Sequence, residues 1–246
     1  MKDVNHPYKD ALFFPKQSKE PLLNVPFIIV VLIALCFCIY IVPKYFFSEQ
    51  LYIEIIKIFS FIPVLFKSDP LAFCYTLISY SFMHGSLKHV SINMVWLLVF
   101  GSPLVRHLGS LRFLIFWVLT AIVAALAYFV LHQDSAVSLV GASGAVSGMM
   151  GGIVRYGFPH SCFGVSMQNE RLLGSLLSIK SALCSKVVLA YVSIWLSVDF
   201  IVAFFPFLFE EDGVLVAWEA HIGGFFSGFL LISFFDISCK KLKTTI

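Results

Sequence analysis

Long stretches with few or no charged residues alternate with short charged segments along this chain. Six of the apolar stretches are long enough to cross a lipid bilayer as helices, which takes about 20 residues each. The predicted spans are residues 21–43, 89–105, 113–133, 135–154, 187–209 and 214–235. The pattern therefore predicts an all-α integral membrane protein with six transmembrane helices.

The positions of Lys and Arg orient these spans. If the N-terminus is inside, thirteen of the 17 Lys and Arg residues fall on the inner side. Residues 70–87 are also uncharged, but a seventh span there would move nine of those thirteen to the outside. Because basic residues favour the cytoplasmic side, we expect six spans with both termini in the cytoplasm.

The spans divide the chain into a membrane domain and two short tails. Residues 21–236 form the predicted six-helix domain, and residues 1–20 and 237–246 form a polar and a basic cytoplasmic tail. The connection 43–83 is long and rich in Phe and Tyr, which favour the membrane interface. We expect this first outer loop to lie partly in the outer leaflet and to contain short helices.

The composition agrees with a membrane protein. Of the 246 residues, 59% are hydrophobic and 13% are charged, whereas soluble domains carry about 25% charged residues. This composition excludes a disordered chain and a nucleic-acid-binding protein, and a net charge of +3 is too small to indicate a polyanionic partner. The six cysteines form no CxxC pair and no metal-ligand spacing, so no disulfide or zinc framework is expected.

Three polar clusters interrupt spans that a plain membrane anchor would keep apolar. They lie at residues 84–93, where the second span begins, and at residues 141–144 and 220–224, in the fourth and sixth spans. All three spans enter from the outside in the predicted topology, so the clusters lie at a similar depth. Polar residues inside a membrane are costly, and three clusters in one layer indicate a functional site.

The spacing within the clusters supports this interpretation. His89 and Asn93 are four residues apart and share a helix face. Small residues at GxxxG spacing let membrane helices approach closely, and packing the fourth span on the sixth would bring Ser143 towards His221. Taken alone, such a serine, a glycine pair or a lone histidine is also explained by helix packing and hydrogen bonding. The GxxxG pairs are Gly144/Gly148, Gly148/Gly152 and Gly224/Gly228.

These side chains can form a nucleophilic site. A serine hydroxyl needs a base to take its proton, and the resulting oxyanion needs fixed donors. Ser143 can be the nucleophile and His221 the general base, with donors from His89, Asn93 and the Ser143 N–H at a helix N-terminus. No acid lies where it would obviously orient His221, so a Ser–His dyad is favoured over a triad.

Two acidic residues also lie within the predicted spans. Asp199, in the fifth span, is either a functional residue or one that caps or bridges helices, and it stays unassigned. Glu219 lies two residues from His221 on another face of the helix and is interpreted as interfacial.

Three motifs at these positions resemble those of the rhomboid family of intramembrane serine proteases. GxSG is weakly specific by itself, whereas the three motifs in this order on alternate spans are highly specific. The resemblance extends from Phe73 to Asp236. The motifs are His89-Val90-Ser91-Ile92-Asn93, preceded by His84, then Gly141-Ala142-Ser143-Gly144 and Ala220-His221-Ile222-Gly223-Gly224.

The resemblance implies a six-helix bundle with a water-filled cavity open to the outside. It implies an endopeptidase that cleaves transmembrane segments of single-span membrane proteins with a Ser143–His221 dyad, without a metal or cofactor. His89 and Asn93 would help to form the oxyanion hole. The location implied is the bacterial plasma (inner) membrane, with the site near the outer face. The supporting residues would be His84, Gly141, Gly144 and Gly224.

Two positions depart from the family pattern. Tyr75-Thr76 stands in the first loop, where the family often has Trp-Arg, and Ser147 stands where an aromatic residue usually packs against the catalytic histidine. These departures favour an alternative, a catalytically weak rhomboid-like protein that binds transmembrane helices without cleaving them. A third hypothesis is a small transporter or channel. It predicts inverted repeats or broken helices in matching halves, and the sequence has neither.

Labelling with a serine-reactive fluorophosphonate separates these hypotheses. An activated serine protease should be labelled at Ser143, and His221→Ala should abolish the labelling because it removes the base. The measurement is in-gel fluorescence of the purified protein. A transporter should give no label at this serine.

Overall fold

The chain folds into helices of very different lengths. The computed structural model describes residues 25–156, 173–204 and 216–236. Within these ranges every regular element is helical, apart from one isolated β-bridge. Both predicted tails lie outside the described residues, as do residues 21–24, 205–209 and 214–215 of the first, fifth and sixth predicted spans. The helices are α1 (Phe27–Phe46), α2 (Glu49–Phe59), α3 (Pro63–Ser68), α4 (Pro70–Phe73), α5 (Thr76–Ser79), α6 (Leu87–Trp96), α7 (Ser102–Leu108), α8 (Ser110–Leu131), α9 (Ser143–Val154), α10 (Ile179–Cys184), α11 (Lys186–Phe204) and α12 (Trp218–Phe235).

In the described part of the chain, four helical segments are long and apolar enough to cross a membrane. The second of them is continuous through α6, a π turn and α7, and the others are α1, α8 and α12. They coincide with the first, second, third and sixth predicted spans. The chain therefore has the helical character of a membrane bundle, while the six-span topology stays a prediction. The segments are Phe27–Phe46, Leu87–Leu108, Ser110–Leu131 and Trp218–Phe235.

The helix in the fourth predicted span is shorter than expected. The sequence predicts a helix over residues 135–154, but α9 begins only at Ser143 and has 12 residues. Gly141 has φ 119°, which no residue of a right-handed helix adopts. The expectation is therefore wrong for residues 135–142, which approach α9 as non-helical chain.

Helix α9 is the most buried helix of the bundle, because its glycines allow α12 to approach at backbone distance. Ten of its 12 residues are buried. A Cβ at Gly224 would overlap the carbonyl oxygen of Gly144, and one at Gly228 would overlap that of Gly148. The prediction that these glycines bring the fourth span onto the sixth is confirmed.

The long connection between α1 and α6, residues 47–86, folds against the chain that leads into α9. Phe61 and Leu139 exchange two backbone hydrogen bonds, with N···O distances of 3.1 and 2.8 Å. Nearby, Lys67 Nζ lies 2.7 Å from Asp134 Oδ1. As expected, this connection contains short helices, α2 to α5. It fixes one side of the non-helical segment before Ser143.

Tyr75 and Thr76 help to shape this connection. The Tyr75 hydroxyl donates to the carbonyl of Ile58 at 2.9 Å, and its ring meets Phe59 edge to face, with centroids 6.4 Å apart. Thr76 Oγ1 donates to the Phe73 carbonyl at 2.6 Å. Tyr75 therefore attaches the turn between α4 and α5 to the end of α2.

Replacing Gly228 with Ala should destabilise the bundle. The new methyl group would overlap the backbone of Gly148, and overpacking of this kind costs about 1–3 kcal/mol. Gly152→Ala is the matched control, since its Cβ would meet only the ends of the Phe116 and Ile232 side chains, at 3.1 and 3.3 Å. Thermal unfolding in detergent should show a clearly lower midpoint for Gly228→Ala. Equal midpoints for the two variants would contradict the role given to the backbone contact.

Candidate functional site

Ser143 is the first residue of α9. The carbonyl of Ala142 accepts the hydrogen bond from Val146 N at 2.9 Å, which is the first bond of the helix. The N–H groups of the first turn have no partner within the helix, and they lie at its positive end. Ser143 is only partly buried, whereas Gly144 behind it is fully enclosed. The serine hydroxyl therefore stands where a developing negative charge is favoured.

Gly141 brings the chain before Ser143 against α6. Its N–H donates to the Tyr80 carbonyl at 3.0 Å, and its positive φ requires glycine. A Cβ at this position would lie 2.7 Å from His89 Nε2 and 3.8 Å from Asn93 Nδ2. The edge of the His89 ring therefore occupies the space where a side chain at Gly141 would lie, and His89, Asn93 and Gly141 lie together.

His89 and Asn93 are held by bonds within α6. Ser86 caps the helix by accepting from His89 N at 3.1 Å. Asn93 Nδ2 donates to the His89 carbonyl at 3.0 Å, and Asn93 is buried. Both side chains face the segment that leads into α9, as the i, i+4 spacing indicates.

His84 supports this group from the turn before α6. Its ring meets the His89 ring edge to face, with centroids 5.2 Å apart, and its Nδ1 lies 3.2 Å from the Phe82 carbonyl. Burial, with a smaller effect from His89, lowers the pKa of His84 to about 3. The His84 ring is therefore neutral at physiological pH and acts as a polar support rather than a charge.

Ser143 and His221 lie on adjoining turns of two tightly packed helices. Ser143 directly precedes Gly144, whose carbonyl is in contact with Gly224, and His221 is one turn before Gly224 on α12. The His221 side chain is 17% exposed. Nucleophile, base and donor candidates from three helices therefore converge on one region.

An acid contacts His221, contrary to the sequence-based expectation. Asp199 Oδ1 on α11 lies 2.6 Å from His221 Nδ1. The expectation that no acid orients His221 is therefore wrong, and Asp199 is the residue that sequence reasoning left unassigned. The sequence feature that pointed to Asp199 was its isolated charge in an apolar helix. Its partner could not be found because the alignment of α11 with α12 is set by tertiary packing.

Glu219 is buried and contacts a histidine at the end of α8. It is 8% exposed, and its Oε1 lies 2.7 Å from His132 Nε2 at the end of α8. It therefore engages a different histidine from the one two residues later on α12. Over the described ranges, no group of three or more His, Cys, Asp or Glu side chains is arranged to hold a metal ion.

Comparisons with known proteins match the same region. A family model described as Rhomboid domain matches residues 72–236. A protein named Rhomboid protease GlpG from Klebsiella pneumoniae is 29% identical over 158 residues, and one from Serratia proteamaculans is 25% identical over 159 residues. These matches cover 64% and 65% of this chain and 47% of each relative. The chain thus spans about half the length of the curated relatives it matches.

Gly141→Ala should disturb the site beyond its effect on stability. A positive φ costs a non-glycine residue about 1–2 kcal/mol, and the methyl group would also displace the His89 ring. Gly109→Ala is the matched control, because Gly109 has φ 81° but open space around its Cβ position. Both variants should unfold at lower temperature, whereas only Gly141→Ala should lose fluorophosphonate labelling of Ser143, by about tenfold or more. Equal labelling of the two variants would contradict the contact with His89.

Proposed function

Because this chain belongs to the rhomboid family, we propose that it is an intramembrane serine endopeptidase. It cleaves transmembrane segments of single-span membrane proteins within the lipid bilayer, and neither a nucleic acid nor a cofactor takes part. The observation that supports this most is the backbone contact between Gly144 and Gly224, since Gly144 adjoins Ser143 and Gly224 follows His221 by one turn. The similar proteins named rhomboid proteases support the same class of activity.

Ser143 is the proposed nucleophile and His221 the proposed general base. The Ser143 oxygen forms a bond to the carbonyl carbon of the scissile peptide while its proton moves to Nε2 of His221. Without a neighbouring base the hydroxyl would be too weakly nucleophilic for this attack. The short separation of the two helices keeps both side chains within one small region.

His89, Asn93 and the N–H groups at the start of α9 are the proposed oxyanion donors. The carbonyl oxygen becomes negative in the tetrahedral intermediate, and donors fixed in advance stabilise this charge without reorganising. His89 and Asn93 both abut Gly141, two residues before the nucleophile. His84 supports the His89 ring, and Gly141, Gly144 and Gly224 allow the close contacts described above.

Collapse of the intermediate completes the first half of the reaction. The C–N bond breaks, the departing amine takes the proton from His221, and the acyl group remains on Ser143 as an ester. A water molecule then adds to the ester and gives a proton to His221. The second collapse returns a proton to the Ser143 oxygen and releases the new carboxyl terminus.

The membrane arrangement belongs to the same proposal. The protein crosses the plasma (inner) membrane six times, with both termini in the cytoplasm and the site near the outer face. The membrane domain covers residues 21–236, and residues 1–20 and 237–246 are cytoplasmic tails. The polarity of the clusters supports this arrangement, because polar groups at membrane depth are tolerated where they face a cavity or the interior of the bundle.

Proteolysis in liposomes tests the proposal. Wild-type protein and a single-span substrate are reconstituted together, and the fragments are followed by electrophoresis and mass spectrometry. Ser143→Ala should reduce cleavage by at least about a thousandfold, because the nucleophile is lost. Ser147→Ala is the matched control, a buried serine one turn further along α9 that should retain cleavage.

Two outcomes would contradict this function. Cleavage that survives Ser143→Ala would show that another residue is the nucleophile. Binding of the substrate helix by wild-type protein without any cleavage would favour the alternative, a rhomboid-like protein that binds transmembrane helices.

A further inference from the structure

Asp199 is a buried acid in an otherwise apolar helix. After Lys186 at its start, it is the only charged residue of α11, and it is 7% exposed. An ionisable residue within a membrane helix is costly and is normally paired or faces the bundle interior. The contacts of its carboxylate therefore indicate what compensates the cost of burying this residue.

The carboxylate is paired with His221. Oδ1 lies 2.6 Å from Nδ1, and the two side chains are 8% and 17% exposed. A carboxylate accepts hydrogen bonds, and a ring tautomer with its proton on Nδ1 donates to it. Hydrogen bonds this short, in which one partner is charged, are roughly twice as strong as hydrogen bonds between neutral groups.

A second contact fixes this pair in register. Trp195, one turn before Asp199, stacks on Phe225, one turn after His221, with centroids 4.6 Å apart and ring planes 17° apart. The two contacts show that α11 and α12 run antiparallel and meet along matching faces. The stack attaches α11 to α12 independently of the charged pair.

We propose that Asp199 is a positioning residue for His221, which keeps the proton on Nδ1 and leaves Nε2 free to act on Ser143. This inference rests on the proposed endopeptidase function. A histidine ring has two tautomers, and the bond made by one nitrogen decides which of them is present. The negative charge also stabilises the imidazolium that forms when His221 takes the serine proton.

The remaining groups near His221 do not replace this role. On α12, Glu219 is engaged by His132 of α8, whose neighbour Tyr128 lies on the same side. From α6, His89 presents a second imidazole. Helix α9 has no ionisable side chain, and Arg112 of α8 lies at the opposite end of that helix. Lys186 lies more than three turns of α11 from Asp199, and Tyr191 two turns.

Ser147 lies one turn along α9 from Ser143, is 4% exposed, and offers no aromatic surface against which an imidazole could pack. A hydrogen bond from Asp199 restrains both the tilt and the tautomer of the ring. In this site, Asp199 on α11 therefore positions the base, His221, on α12.

Asp199→Asn tests the inference, because it keeps the shape of the side chain but removes its charge. In the liposome assay, kcat at pH 7 should fall by about 100-fold while KM changes by less than about twofold. The dependence of kcat on pH should also change, because the carboxylate contacts the ring that takes the serine proton. Wild-type kcat and an unchanged profile in Asp199→Asn would overturn the inference.

Glu219→Gln is the matched control. It removes a buried carboxylate paired with a histidine on the same helix bundle, but that histidine is His132 rather than His221. Its thermal unfolding midpoint should fall about as much as that of Asp199→Asn, while its pH profile should stay in place. If kcat falls equally in both variants and its pH profile is the same in both, the role of Asp199 is structural. This result would overturn the inference.

A spectroscopic measurement separates this inference from the enzymatic function. Nitrogen-15 resonances of His221 in detergent should show a proton on Nδ1 in the wild type and its loss in Asp199→Asn. If the wild type neither cleaves nor labels, the endopeptidase proposal fails, yet these resonances still test the pairing. A wild-type ring protonated only at Nε2 would overturn the positioning role whatever the activity.

Discussion

The contact between the glycine faces of α9 and α12 is the constraint on which the rest of the structure depends. Lipid tails are as apolar as the side chains, so helices in a bilayer are held by close packing and hydrogen bonds rather than by hydrophobic burial. Here the carbonyls of Gly144 and Gly148 touch Gly224 and Gly228. Each glycine weakens its own helix by about 1 kcal/mol relative to alanine. The close approach offsets that cost and brings the ends of the two helices together.

The polar groups are arranged around this contact. Asp199 approaches His221 from α11, and His89 and Asn93 approach Gly141 from α6. The connection between α1 and α6 lies against the chain that leads into α9, where Phe61 pairs with Leu139. The bond between Asp199 and His221 and the bond from Asn93 to the His89 carbonyl reduce the penalty of placing these polar groups in an apolar medium.

The sequence predicts those features that local spacing determines. GxxxG spacing predicts that Gly144 and Gly224 meet, and the i, i+4 spacing predicts the shared face of His89 and Asn93. It does not predict contacts that depend on how distant elements align, such as Asp199 with His221. Uncharged residues before Ser143 resemble a helix in composition, so the late start of α9 is also missed. The positive φ at Gly141, which interrupts any helix leading into Ser143, is seen only in the folded chain.

The shortness of α9 has a mechanical consequence. With 12 residues it is about 18 Å long, well below the roughly 30 Å of the bilayer hydrocarbon, and ten of those residues are buried by protein. The 22 residues of α8 and the 18 of α12 extend to about 33 and 27 Å. The surrounding helices therefore accommodate any mismatch between helix length and bilayer thickness, by tilting or by changing the local thickness of the lipid. Changes in membrane thickness act on that outer shell, while the helix that begins at Ser143 is insulated from them.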